Sequence, residues 1–362
     1  MKPSSRLFST SIVALTLALS AACSGSDESA TDSHTPDGTA EDTPDSFSDT
    51  GSQDLAADQH DELTSDLGQD AQADTYSPDS EQSDQLDEQA QPPEQLPFKV
   101  ASFNLRTGLA GDGENSWKNR ESIVINYLKE EAADLFGVQE ALFFQMDAIT
   151  AALPHYAWTG VGRNNTQFEE YCAVFYDTRR YDLLDSGTFW LSDTPDEPGT
   201  KFSDKQGYLR IVTWARLLDT QWGKEIFHFN THYDLSEEDN ITERSSALIL
   251  QKMAQYAADK PVVLTGDFNE HIGEPCYQIL VGELDWEGTT GSLLDPWVEL
   301  GLPDEGTFHA FKGTTTATTR IDWLLHTDHI VALEAGVNHY NENGFYPSDH
   351  FPVWTTFAWP AE

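Results

Sequence analysis

The spacing of apolar residues divides this chain into a polar first quarter and a patterned remainder. From Phe98, short apolar and β-branched runs alternate with stretches of helical period. Phe98 to Arg106 alternates as a strand does and ends on Asn104 and Arg106. Trp117 to Glu131 sets Ile123, Tyr127 and Leu128 at helical spacing, and Asp134 to Glu140 reads as a short buried strand closing on a carboxylate. A second helix is predicted from Phe143 to Leu153, with strands near Tyr156 to Val161, Cys172 to Asp177 and Leu183 to Leu191. Stronger strands follow at Arg210 to Leu218 and Ile226 to His232. A helix from Thr242 to Ala258 offers Leu248, Leu250, Met253 and Tyr256 as its apolar face. Next, Pro261 to Thr265 reads as a fully buried strand that breaks at Gly266 and delivers Asp267 and Asn269. Residues two apart share a strand face, so this carboxylate and this amide point the same way. Strands at Ile321 to Leu325 and Phe351 to Phe357 close the pattern, which describes one α/β domain over residues 97–362.

Charge sharpens the division at residue 97. The whole chain carries 20 basic and 62 acidic residues, for a net charge of -42. Residues 1–96 hold 2 of the basic and 21 of the acidic ones, so the domain is itself strongly acidic. Such a surface repels polyanions except where metal ions or a local basic patch intervene. Residues 24–96 are rich in Ser, Asp, Thr, Gln, Glu and Pro and hold too little apolar surface to offset ordering entropy. They are expected to form a disordered acidic tether. Residues 1–23 have the layout of an export signal: Lys2 and Arg6, an apolar run from Ile12 to Leu19, then small residues before Cys23. That ending resembles a bacterial lipoprotein signal with Cys23 lipidated, although Ser20 stands where Leu is usual; cleavage after Ala22 is the alternative. The expectation is an exported, monomeric protein anchored by lipid at the cell envelope, or otherwise secreted. In an exported protein Cys172 and Cys276 could pair, but Cys172 lies in a strand-like run where a buried thiol is commoner.

Reactive polar groups recur at the predicted strand ends: Asn104, Glu140, His232 with Asp234, Asp267 with Asn269, and Ser348-Asp349-His350, with Asp322 just inside another. Gly, Asp and Asn are ordinary turn residues, so one such end is unremarkable. So many together imply convergence on one sheet edge, where α/β proteins place their sites. The oxygen-rich set suits a hard divalent ion such as magnesium, with manganese as an alternative. Zinc fits less well, because no cysteine pair or His-Glu-x-x-His spacing is present.

Six segments carry a further signal. Ser102 to Arg106, Gln139-Glu140, Asn230 to Asp234, Gly266 to Asn269, Ile321 to Trp323 and Ser348 to Val353 resemble, in this order, the motifs of the endonuclease/exonuclease/phosphatase superfamily related to deoxyribonuclease I. Gly187 to Ser192 and Arg210 to Ala215 are similar to a bacterial secreted branch. The resemblance implies a four-layer sandwich of two mixed β-sheets flanked by helices, and a metal-dependent phosphoesterase. It implies that Glu140 is the main metal carboxylate, with Asn104 near it and Asp349 as a further ligand or partner. Asp267 would accept a proton from the attacking water, Asn269 would orient that water or a phosphate oxygen, and His232 and His350, the latter held by Asp322, would donate hydrogen bonds to the phosphate. A phosphate ester is anionic and repels hydroxide, so its hydrolysis needs a cation, a base and donors aimed at the oxygens. Arg106, Arg163 and His309 are secondary candidates for substrate contact, and Glu170 could face the site or solvent. The substrate is left open among nucleic acid, a phospholipid head group and a small phosphate ester. The shortage of Lys and Arg favours the small ester over long DNA, unless folding gathers Arg106, Arg163, Arg210 and Arg320 into one cleft. A catalytically inactive binding lipoprotein is the reading from another class, disfavoured because every motif residue is present.

Overall fold

The computed structural model describes residues 97–236 and 238–360. The expected export segment, the expected lipidation site Cys23 and the expected acidic tether to residue 96 lie outside the described residues. In chain order the strands are β1 (Phe98–Asn104), β2 (Leu135–Gln139), β3 (Tyr156–Thr159), β4 (Val174–Asp177), β5 (Tyr181–Trp190), β6 (Ile211–Asp219), β7 (Lys224–His232), β8 (Val262–Asp267), β9 (Asp322–His326), β10 (Val331–Val337) and β11 (Val353–Ala358). The helices are α1 (Trp117–Glu131), α2 (Phe143–Ala152), α3 (Ile241–Tyr256), α4 (Pro275–Val281) and α5 (Pro296–Leu300). The two short ones follow local rules: each opens on proline, whose missing N–H costs nothing there, and stops at a glycine of positive φ, Gly282 or Gly301.

The strands form two mixed sheets, ordered β10-β11-β1-β2-β4-β3 and β5-β6-β7-β8-β9. Strand alternation explains how they stack. On β1, Val100 packs toward the second sheet with Leu135, Val174, Leu217, Ile226, Val263 and Leu324. Ala101 and Phe103 point the other way and pack with Val124 and Tyr127 of α1 and with Met146 and Ile149 of α2. Phe229, Leu264 and Trp323 cover the far face of the second sheet together with Ile249 and Met253 of α3 and Leu280 of α4. The result is the four-layer helix–sheet–sheet–helix sandwich that the resemblance implies.

Near one end, the layer between the sheets turns polar. Asn230 on β7 donates to the carbonyls of Val138 (2.8 Å) and Ala173 (3.0 Å) on the opposite sheet. Its oxygen accepts from Gln139 Nε2 (2.7 Å) and Thr265 Oγ1 (3.0 Å), and Gln139 also donates to Ser102 Oγ. These buried groups bond one another across the sheets and so fix the two in register, with Gln139 Oε1 alone among these four side chains' atoms left without a partner among the described residues. Gly137 permits the close approach: a Cβ there would lie 2.3 Å from Thr265 Oγ1 and 2.4 Å from Asn230 Oδ1. Ser102, Asn230 and Thr265 each sit two residues before Asn104, His232 and Asp267, on the same strand faces.

Several expectations are corrected in detail. On α3 the expected Met253 is joined in the core by Ile249, while Leu248, Leu250 and Tyr256 are only partly buried at the margin of that core. Strand β10 and helices α4 and α5 were not predicted; β10 is an edge strand whose Val331 and Leu333 are exposed, so its pattern carries little apolar period. Cys172 and Cys276 are both buried free thiols and do not pair. Ser348-Asp349-His350 stands just before the closing strand as expected, although that strand, β11, begins at Val353 rather than Phe351.

Candidate active site

The topology brings the predicted strand ends to one edge. β1 and β2 are parallel, as are β7 and β8, so their C-terminal ends coincide, with Asn104 opposite Gln139 and His232 opposite Asp267. β9 and β11 run antiparallel to their neighbours, so their beginnings meet those ends: Asp322 faces Asp267, and Val353 faces Ser102. Just past the strands, Arg106, Glu140 and Asn269 each take the left-handed backbone conformation, φ 55° in all three. Non-glycine residues adopt it rarely, and such strain concentrates at functional sites.

Asn104 ties the two halves of the site together. Its Nδ2 donates to Glu140 Oε1 (3.2 Å) and Asp267 Oδ2 (2.8 Å), while its oxygen accepts the backbone N–H of Arg106. Glu140 Oε2 accepts the N–H of Thr107 at 3.0 Å. Arg106 forks onto Asp112 and also approaches Asp349 (3.6 Å) and Glu140 (4.0 Å). Buried Arg120 supports that loop from beneath, donating to the carbonyls of Leu105, Arg106, Asn115 and Pro347. On the other side, His350 Nδ1 bonds Asp322 Oδ2 at 2.9 Å, which leaves Nε2 3.7 Å from Asp267 Oδ2. His232 Nε2 lies 3.0 Å from Asn269 Nδ2 and 3.6 Å from Asp267. Asn269 is fixed in turn by the carbonyl of Tyr233 and by its own N–H on Asp267.

Burial sets the electrostatics. It pushes Asp267 up to about 7, with Asp322 adding to the rise while His350 and the Asn104 hydrogen bond oppose it. Burial alone would neutralise His350, but the carboxylates of Asp322 and Asp267 override it and hold the imidazole charged well above its usual range. His232 shifts the opposite way: burial, and then the nearby Arg210 and His350, keep it neutral. Burial also raises Asp349 against His350 and Arg106. Glu140, His232 and Asp267 offer ligand atoms all within 4.8 Å of one another, and so do Asp267, Asp322 and His350. Four carboxylates (Glu140, Asp267, Asp322 and Asp349) thus gather around two cations, Arg106 and His350, and a divalent ion fits both the oxygen donors and the missing positive charge.

The cluster lies in a cleft of about 880 Å³ lined by Arg106, Glu140, Arg163, Asp267, Asn269, Asp349 and His350, among others. Glu170 also lines it, where it accepts from Arg163 at 2.7 Å and is raised by burial. Of the arginines that folding could gather, Arg106, Arg163 and Arg210 reach the cleft. Arg320 instead is buried on Asp295 and Asp304 and stacks on Trp297. His309 does not line the cleft. It lies buried beside it, stacked at 3.9 Å on the Phe351 ring, with Nδ1 accepting the N–H of Gly313. Asp234 also has its oxygens turned elsewhere, onto the N–H groups of Gly207, Tyr208 and Ser236. Sequence reasoning missed the cleft's apolar rim of Tyr208, Leu235, Phe308 and Phe311, because these residues lie on loops without any period.

Comparison with known proteins agrees with this geometry. Residues 101–350 match the model of the endonuclease/exonuclease/phosphatase family. A Bacteroides vulgatus protein of that family is 28% identical and superposes with a TM-score of 0.67, over 74% of this chain and 100% of its own. A Bacteroides thetaiotaomicron mannosyl-6-phosphatase is also 28% identical, with a TM-score of 0.63 over 72% of this chain and 99% of its own. A protein of Acanthamoeba polyphaga mimivirus is 27% identical over 72% of this chain and its own full length.

Proposed function

The chain belongs to the endonuclease/exonuclease/phosphatase family and is a metal-dependent phosphoesterase, and from that premise we propose that it hydrolyses small phosphate esters of the sugar-phosphate kind. The observation that carries this reading is the charge of the cleft. Five carboxylates line it (Asp112, Glu140, Glu170, Asp267 and Asp349) against three arginines and no lysine. Arg106 and Arg163 are engaged by their own acids. A long polyanion needs several free cations along its path, whereas one phosphate group needs only the centre itself. The cleft volume lies in the range typical of small-molecule sites. The exposed rings of Tyr208 and Phe308 at its mouth suit the apolar face of a sugar. The likeness to a mannosyl-6-phosphatase supports the same class.

In this reading Glu140 and Asp349 hold a divalent cation, magnesium or alternatively manganese, which when bound supplies positive charge to the reacting phosphate. Asp267, raised toward neutrality, takes a proton from water as the water oxygen attacks phosphorus and the ester P–O bond breaks. The departing alkoxide takes its proton from solvent. Asn269 positions that water, and the charged His350, fixed by Asp322, donates to a phosphate oxygen as negative charge builds there. Neutral His232 accepts from the Asn269 amide through Nε2 and so steadies the group that positions the water. Asn104 keeps Glu140 and Asp267 at their spacing. The amino-terminal signal and Cys23 support a place at the cell envelope. The test is turnover of hexose phosphates, mononucleotides, phospholipid head-group esters and plasmid DNA, with magnesium and with chelator. Efficient plasmid cleavage at moderate salt with little turnover of small esters would overturn the substrate assignment.

A further inference from the structure

Arg210 lies at the start of β6 with only 5% of its surface exposed, and its Nε is buried without a hydrogen-bond partner among the described residues. A buried guanidinium is costly unless acceptors meet its donors. The acids that could meet them are engaged elsewhere. Asp234, whose Oδ2 lies 3.7 Å from Nε, directs its oxygens to backbone N–H groups, and Glu170 is held by Arg163. Buried Arg120 shows the contrast, since its donors reach four backbone carbonyls. Position adds the second observation. Arg210 lines the cleft and also a narrow recess shared with Glu140, Arg163, Glu170 and His232, directly beside the metal-binding carboxylate. It is also held there: the Tyr208 ring lies 5.3 Å from the guanidinium carbon of Arg210 and 5.3 Å from that of Arg163.

We propose that Arg210 is a catalytic residue that donates to a non-bridging oxygen of the substrate's phosphorus group, completing from the His232 side the donor set that His350 provides opposite. The inference rests on the phosphoesterase activity and deepens the proposed function, though not on the choice of a sugar phosphate. The planar fork matches two oxygens of a phosphate, and a charge-assisted bond from a buried side chain strengthens as the oxygens gain charge.

The test uses the full-length protein with p-nitrophenyl phosphate and bis(p-nitrophenyl) phosphate as generic reporters, alongside calorimetric binding of inorganic phosphate in the presence of magnesium. Arg210→Met is expected to lower kcat by roughly 10²- to 10³-fold with a smaller change in KM, and to weaken phosphate binding. Arg210→Lys, which keeps charge and packing, is expected to recover only part of both, because a single ammonium cannot fork. Methylguanidinium should raise the rate of Arg210→Ala, while Arg216→Met, a surface variant whose arginine pairs with Glu225, should match wild type. Wild-type kcat and phosphate affinity in Arg210→Met would overturn the proposal. If Arg210→Met does not fold, wild-type values of both in Arg210→Lys, with no methylguanidinium effect on Arg210→Ala, would do the same. A wild-type preference for plasmid DNA would remove the sugar-phosphate reading and leave this test intact.

Discussion

Replacing Asp322 with asparagine tests the centre of the proposed chemistry. Asp322 is 1% exposed, and its Oδ2 meets His350 Nδ1 at 2.9 Å. Asparagine keeps the size and can still accept that hydrogen bond, so packing changes little and the loss is one of charge. Two unit charges about 4 Å apart at an effective dielectric of about 20 attract by about 4 kcal/mol. Asp267, 3.7 Å from Nε2, still favours the imidazolium and recovers part of this. A net loss of about 3 kcal/mol at the transition state corresponds to about a hundredfold in kcat. The pH profile should move as well. Asp322 helps hold His350 charged above its usual range, so its loss lowers that pKa, and activity should fall away at lower pH on the alkaline side. Steady-state rates from pH 5 to 10 on a phosphate-ester reporter measure both effects, with circular dichroism checking the fold. A variant with the wild-type kcat and an unmoved alkaline limb would show that the Asp322–His350 pair does not serve catalysis.

Glu140→Gln should abolish magnesium-dependent turnover with the unfolding midpoint retained, because the strand end is polar either way; wild-type rates in chelator would refute the metal assignment. His228 is buried 2.8 Å from Thr265 Oγ1, and burial pushes it down to about 3 from 6.5. The native state therefore binds fewer protons than the unfolded chain between those values, and its contribution, present above about pH 6.5, is lost as pH falls toward 3. At pH 4.5 that loss is about 2–3 kcal/mol, so urea unfolding of His228→Gln at pH 7 and 4.5 should show a smaller acid loss than wild type. Equal losses in the two proteins would refute it. Gly137→Ala places a methyl 2.3 Å from Thr265 Oγ1 and should destabilise by about 3 kcal/mol, read by the same urea titration. An unchanged midpoint would mean that the sheets separate there at no cost.

Much of the architecture was already written in local pattern. The strands that build the two sheets are short apolar runs, and period two is a property of neighbouring residues, so β1, β2, β7 and β8 were legible within a residue or two. Polar groups interrupting such runs also stand out locally, which is why Asn104, Glu140, Asp267, Asn269 and His350 are candidates from the sequence alone. Residues without periodic neighbours were not legible. Tyr208 and Phe308 on the cleft rim lie on loops, and edge strand β10 faces solvent with little pattern to mark it. The partners that tune chemistry were equally hidden. Asp322 and His350 are 28 residues apart and Asn104 and Asp267 163 apart, so only sheet register could bring them within hydrogen-bonding distance. Tertiary structure alone decided the fates of the arginines, since residue type gives the charge but not the acid that meets it. Arg106 found Asp112, Arg320 found Asp295, and Arg210 was left buried at the cleft wall 3.7 Å from Asp234, its Nε without a hydrogen bond among the described residues.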